Sequence, residues 1–282
     1  MEQKLAVISD VHGNYKALEA VLAFLWKDGR VQLLQENLAA KGEQGGTGVW
    51  QRESSEEMDN ALEENGGNKA CIPALRLCHG TPGLVRGNVD LDKRLQKQVM
   101  EQLDTEYLLG GHSHKQEIHR QDGKLYVNPG SLGLALDGKG GHAHFAILTL
   151  CGDTGTGKVS QNLAASNGEA LQNARNNPTF RNRADLQNHQ EFQKLYWEPR
   201  LYDIPYDMEA YLADFREAGL AGEGRVLAAS VEKTIRTGVN WFYLTILRVK
   251  ELSGGLPLPQ TSEQVWEQAA MALDIALPTT KW

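Results

Sequence analysis

The chain has 282 residues, of which 41% are apolar, enough for the core of one large domain or two small ones. A formal net charge of −7 with no Lys/Arg-rich stripe argues against a nucleic-acid-binding face. No apolar run is long enough to cross a membrane. Met1-Glu2-Gln3-Lys4 runs straight into a strand pattern without a signal peptide. Cys71, Cys78 and Cys151 are odd in number and lack metal-ligand spacing, which fits a reduced, cytoplasmic setting.

The first predicted element is a strand over Leu5–Ile8, which ends in Asp10-Val11-His12-Gly13-Asn14. A helix follows, with Leu18, Val21, Leu22 and Leu25 at helical spacing. A carboxylate and an imidazole therefore sit at the carboxyl end of a strand, where open α/β sheets place ligands. In an extended Asp-x-His both side chains project from one side and can hold one metal ion through oxygen and ring nitrogen. Gly13 permits a tight turn, and the helix N-terminus behind it suits a phosphate. Taken alone, the same residues also read as an N-capping turn with a surface histidine.

Residues 29–70 are predicted to lack strands. Leu33, Leu34 and Leu38 extend a weak helical stripe, Lys41–Gly48 is a polar breaker, and Asp59 sits in a charged, solvated helix over Glu56–Glu64. The next strand, Leu75–Cys78, runs into His79-Gly80-Thr81-Pro82, with Cys78 buried on the face opposite His79. Val85–Asp90 reads as turn chemistry, with Asn88 on a loop near enough to His79 for a metal-ligand role as the alternative reading. An amphipathic helix over 91–104 leads to a strand at Tyr107–Leu109 and then to His112-Ser113-His114. Leu125–Val127 ends in the tight-turn sequence Asn128-Pro129-Gly130-Ser131. The chain has only eight histidines, and one metal site built from strand-end loops accounts for His12, His79, His112 and His114 together with Asp10.

Beyond this, His142-Ala143-His144 precedes a strand at Phe145–Leu150 and has two readings, a stray metal site or the commoner pair of solvent-facing side chains, while His119 and His189 have no supporting context. Gly152–Lys158 nearly spells a phosphate-binding loop, but Val159 stands where a magnesium-binding hydroxyl is needed. Residues 160–193 are poor in apolar anchors. Trp197–Ile204 resumes strand character. Asp207 caps a helix carrying Met208, Tyr211, Leu212 and Phe215, closed by Gly219. Longer helices are predicted over 225–250 and 262–276. This tail has three readings: packing on the sheet, forming a homo-oligomer, or shaping substrate access.

The order Asp-x-His-Gly-Asn, His-Gly-Thr-Pro, Gly-Gly-His-Ser-His, Asn-Pro-Gly-Ser resembles the calcineurin-like metallophosphoesterase superfamily, in particular its small bacterial phosphodiesterase-like branch. The resemblance covers residues 1–40 and 70–150, with a family-like extension from Trp197. It implies an α/β fold, a metallophosphoesterase-type β-sandwich flanked by helices, holding two divalent ions (manganese, iron, nickel or zinc). It further implies that Asp10, His12 and His114 hold the first metal and His79 and His112 the second, with Gly13 and Asn14 lining the phosphate side. The family's Gly-Asp and Gly-Asn-His motifs are not found between Asp10 and His79: Asp28 precedes Gly29, Asp59 is in a helical context, Gly67-Asn68 follows no apolar run, and Asn88 comes after His79. An internal deletion or a scrambled reading frame within 29–70, with loss of strands and of the bridging ligand, is the corresponding expectation.

The expected organisation is a metallophosphoesterase-like domain over 1–151, a low-apolar insertion or linker over 152–196 and a helical extension over 197–282. The implied activity is hydrolysis of a phosphodiester or small phosphomonoester by a metal-activated hydroxide, with a small phosphorylated molecule as partner and no membrane. The alternative is a catalytically impaired metal-binding remnant. A nucleotide-binding role for residues 152–158 is disfavoured by Val159.

Overall fold

The computed structural model describes residues 3–27, 31–35, 47–50, 72–82, 87–90, 92–152 and 195–277. Asp28, Asp59, Gly67-Asn68, Cys71, residues 153–159 and His189 lie outside them. The chain divides into two units, Met1–Gln51 with Ala74–Leu150 and Trp197–Trp282, and Arg52–Pro73 with Cys151–Tyr196. The second is described only at 72–73, 151–152 and 195–196; the described helices and all but the extreme ends of the strands belong to the first.

The apolar run of β1 (Lys4–Ile8) is buried on both faces, and the strand sits inside a four-stranded sheet of order β2-β1-β8-β9. Its neighbours are β2 (Val31–Gln35), parallel, and β8 (His142–Gly152), antiparallel; β9 (Leu195–Pro205) lies beyond β8. Helix α1 (Tyr15–Trp26) places Ala17, Val21 and Leu25 on Ala6 and Ile8 of β1 and on Ala143, Phe145 and Ile147 of β8. These are alternate strand positions, so one face of the sheet takes the helix.

The second sheet has the order β3-β4-β5-β7-β6. It comprises β3 (Thr47–Trp50), β4 (Leu75–Cys78), β5 (Tyr107–Leu109), β6 (Gln116–Gln121) and β7 (Lys124–Pro129), with β4, β5 and β7 parallel. Helix α2 (Lys93–Gln102) covers one face: Met100 packs with Cys78, Leu108 and Tyr126. The remaining faces, including Leu5, Val7, Leu77, Leu109 and Val127, are buried as well, the pattern of stacked sheets with helices outside. Gln116 ties the sheets together by donating to the carbonyls of Phe145 (3.3 Å) and Tyr202 (2.8 Å). The architecture is the expected α/β arrangement of two sheets flanked by helices.

The expectation that 29–70 lacks strands is overturned, since β2 and β3 both lie in it, one in each sheet. Val31–Gln35 is too short for its period to separate helix from strand, and its parallel pairing with β1 is a long-range choice. Thr47–Trp50, at the end of a Gly-rich stretch, becomes an edge strand by pairing with β4.

The C-terminal helices are α3 (Met208–Glu217), α4 (Leu220–Thr237), α5 (Trp241–Leu252) and α6 (Glu263–Ala272). The single helix expected over 225–250 is two, because Gly238 takes the left-handed conformation (φ 65°) and Asn240 caps α5 through the Tyr243 N–H. Carbonyls at this break are used: Gly238 accepts from the N–H of Gly138 (3.1 Å), and Ile235 from that of Gly141 (3.2 Å). The tail therefore packs on the loop that precedes β8. No described helix is long and apolar enough to cross a membrane.

Phe145 is fully buried between α1 and the sheet, whereas Trp26, at the end of the same helix, is 80% exposed. Phe145→Ala should cost about 3–5 kcal/mol and Trp26→Ala no more than about 0.5 kcal/mol, as read from urea denaturation midpoints.

Candidate metal centre

The carboxyl ends of β1, β4 and β5 carry the five residues expected to bind metal. Asp10 and His12 follow β1, His79 follows β4, and His112 and His114 follow β5. Contrary to expectation, Asp10 and His12 are not extended: their φ angles are 52° and 50°, and those of His112 and His114 are 70° and 61°. Four non-glycine residues in the left-handed region cost on the order of 1–3 kcal/mol each unless the surroundings enforce it. A set of hydrogen bonds does so. Leu132 N–H donates to Ser9 O (2.9 Å), Gly133 N–H to Asp10 O (3.1 Å) and Leu136 N–H to His114 O (3.3 Å). The Ser131 hydroxyl also donates to Asp10 O, at 2.8 Å.

Asp10 is the centre of the geometry. Its Oδ2 accepts from Ser9 Oγ (2.6 Å) and from the backbone N–H of His112 (3.0 Å). Its Oδ1 is left facing the imidazoles, 3.4 Å from His114 Nε2, 3.7 Å from His12 Nε2 and 3.8 Å from His79 Nε2. Burial by itself raises this carboxyl's pKa. Hydrogen bonding to His114 and His12, the charge of His114 and the bond from Ser9 outweigh it and hold Asp10 well below the ordinary carboxylate range.

The ligand atoms of Asp10, His12 and His114 lie within 4.8 Å of one another, a spacing that one cation can span. His114 Nδ1 is 2.8 Å from Leu134 O. A carbonyl only accepts, so Nδ1 carries a proton and Nε2 is the nitrogen turned toward Asp10, the orientation that metal-ligating histidines use. His114 Nε2 also meets His12 Nε2 at 3.1 Å. On the other side the rings of His79 and His112 meet edge to face with centroids 5.1 Å apart. The donor set of Asp10, His12 and His114 thus fits a divalent cation, and His79 Nε2 approaches the same oxygen, Asp10 Oδ1.

Other residues expected at the site serve it differently. Asn14, assigned to the phosphate side, is fully buried. Its Oδ1 accepts from Ala17 N–H (3.1 Å) as the N-cap of α1 and its Nδ2 donates to Gly133 O (3.0 Å), so it holds the loop. Gly13 has φ 68° and lies at the surface beside His12, consistent with the tight turn. Gly133 is a position where the backbone approach is decisive: a Cβ there would stand 1.9 Å from Val11 O. Asn88 is half-buried on the loop before Asp90. Asp90 Oδ2 accepts from the Ser113 hydroxyl, whose oxygen accepts from Asn128 Nδ2 (3.0 Å), and Asn128 also donates to Gly111 O (3.1 Å). Ser9, Ser131, Ser113 and Leu134 O are positioning groups that the sequence pattern does not single out. The turn motif at 128–131 is the one signal pointing at part of this set.

In metal-free protein Asp10 is ionised when folded and has its ordinary pKa when unfolded, so it stabilises the fold above the ordinary carboxylate range. That contribution is lost as pH falls. Asp10→Asn should therefore lose less stability than wild type below about pH 4. Thermal unfolding in chelator across that range checks this, and identical acid limbs would refute it.

Residues 42–153 match the family model of the calcineurin-like phosphoesterase superfamily domain. The match begins inside the interval that the motif order leaves unassigned and after Asp10–Asn14. Similar solved structures include a metallophosphoesterase from Sphaerobacter thermophilus (17% identity, 84% of this chain and 100% of that one, TM-score 0.43). A hypothetical protein from Pyrococcus horikoshii OT3 is similar too (13% identity, 83% and 98%, TM-score 0.45), as is a predicted phosphoesterase from Streptococcus pneumoniae TIGR4 (15% identity, 53% and 83%, TM-score 0.33). Residues 42–153 thus carry the likeness to the calcineurin-like phosphoesterase superfamily domain.

Proposed function

We propose that the protein is a metal-dependent phosphoesterase that hydrolyses a phosphodiester or a small phosphomonoester. The observation that carries this reading is the convergence of three imidazole Nε2 atoms within 3.8 Å of one carboxylate oxygen, Asp10 Oδ1, at the strand ends of a chain similar to the calcineurin-like phosphoesterases. Asp10, His12 and His114 would hold one cation, and His79 and His112 a second. Bound divalent ions supply charge neutralisation for phosphate oxygens and a lowered pKa for water.

The chain's own residues divide the remaining work. Asp10 and His114 form the buried floor, and their second atoms are tied to Ser9, the His112 N–H and Leu134 O. His12 and His79 form a rim open to solvent, with side chains 45% and 29% exposed, from which a phosphate ester can enter. Asp10 offers one oxygen to both halves, the role that a separate bridging carboxylate would otherwise fill. Manganese is the cation proposed first, and imidazole and carboxylate donors equally suit iron, nickel and zinc.

A second reading is a metal-binding protein with impaired catalysis. It is favoured by one observation: among the described residues, Asp10 is the sole carboxylate in the strand-end cation group.

On manganese-loaded protein, turnover of a chromogenic phosphodiester should fall about 100-fold or more in His12→Ala and in His112→Ala, the scale of losing one group that stabilises the transition state. Ser9→Ala, which removes only a support of Asp10 Oδ2, should cost about tenfold. Metal retained by wild type with no turnover on phosphodiester or phosphomonoester would establish the second reading.

Asn14→Ala should lower stability by about 0.5–2 kcal/mol through the lost cap. Its KM for the same ester should stay within twofold of wild type, roughly the spread of uninvolved positions. A KM rise with unchanged stability would restore Asn14 to the phosphate side.

A further inference from the structure

We propose that Asp137, His144 and Asp203 form a second cation site, built from residues other than those of the strand-end centre, that takes one divalent transition-metal ion of the zinc or cobalt class. The commoner reading of His142 and His144 has them face solvent. His144 does not: it is 1% exposed, and neither ring nitrogen has a hydrogen-bond partner. The reason is local packing. His144 lies on β8 against the turn at Gly130, where a Cβ would stand 2.7 Å from its Nδ1. A buried imidazole with both nitrogens unsatisfied is a costly arrangement that a ligand at Nε2 would relieve.

The surroundings supply the remaining donors. His144 Nε2 is 3.2 Å from Asp137 Oδ2, an ion-pair contact. Asp203 Oδ1, on β9, is also buried without a partner, while its Oδ2 holds Lys139 Nζ at 2.7 Å. One ligand atom from each of Asp137, His144 and Asp203 lies within 4.8 Å of the others. They line a cavity of about 500 Å³, with Lys115 and Gln116 on its wall.

His142 flanks this group on the Asp203 side. Its Nδ1 is 2.9 Å from Gly140 O, so that nitrogen carries a proton, and Nε2 lies 3.9 Å from Asp203 Oδ1. The hydrogen bond to a carbonyl is the orientation that metal-ligating histidines use. Mixed imidazole and carboxylate donors select borderline metals over magnesium and calcium, which prefer all-oxygen sites. Lys139 neutralises one carboxylate at Oδ2 and leaves Oδ1 available.

The site does not depend on the phosphoesterase reading, and its test does not use turnover. The strand-end centre is first disabled in a His12→Ala/His79→Ala/His112→Ala protein. Cobalt(II) alone is then titrated by equilibrium dialysis, with visible absorption to follow its coordination. The expected result is one cobalt ion per chain with the spectrum of a nitrogen- and oxygen-ligated site.

Adding Asp137→Asn and Asp203→Asn, near-isosteric changes at partly exposed carboxylates, should weaken that binding about tenfold or more with an unchanged circular dichroism spectrum. The same two changes in wild type should lower total cobalt by one ion per chain, which keeps the test valid if the triple-alanine protein does not fold. His144→Gln should behave like the paired carboxylate change. No cobalt retained without the strand-end histidines, or binding indifferent to Asp137 and Asp203 in both backgrounds, would overturn the proposal.

Discussion

A buried, ionised Asp10 is the constraint on which this structure turns. A carboxylate withdrawn from water at the end of a core strand is tolerable only if both oxygens are compensated. One oxygen is compensated by the protein, through Ser9 and the His112 N–H. The other faces His12, His79 and His114. That division creates the site, because the oxygen the protein leaves open is the one a cation can take.

Meeting the constraint requires loops from both sheets to arrive at one point in strained conformations. Asp10, His12, His112 and His114 all adopt positive φ, and the segment around Asn128–Leu136 supplies the bonds that keep them there. The Asn-Pro-Gly-Ser turn, Gly133 and Asn14 thus act as a brace. Their side chains and backbone close approaches fix the geometry of the strand-end loops. Strain concentrated at a site and balanced by its surroundings is the pattern of preorganised function.

The same brace continues into the second cluster. The loop that gives Leu134 O to His114 also carries Asp137, and the Gly130 turn presses on His144. It then meets the end of α4 through Gly138 and Gly141, so the C-terminal helices anchor the loop from behind. A cation held between this loop, β8 and β9 would stiffen the support of the strand-end centre from a position outside it.

The local sequence by itself determined the strand ends and their chemistry. Short apolar runs followed by Asp-x-His, His-Gly and His-x-His placed Asp10, His12, His79, His112 and His114 at carboxyl ends of strands, because strand burial and turn chemistry are local properties. Tertiary structure decided what depends on distant partners. Val31–Gln35 became a strand only by pairing with β1, and Thr47–Trp50 only by pairing with β4. His144 became a buried, unsatisfied group instead of a solvated one because Gly130 and two aspartates, one of them 59 residues downstream, close around it. Asn14 became a brace as well as a cap because its amide meets Gly133 across 119 residues. Periodicity reports which face is buried, but not which distant group satisfies a polar atom there, and that pairing separates a ligand from a brace.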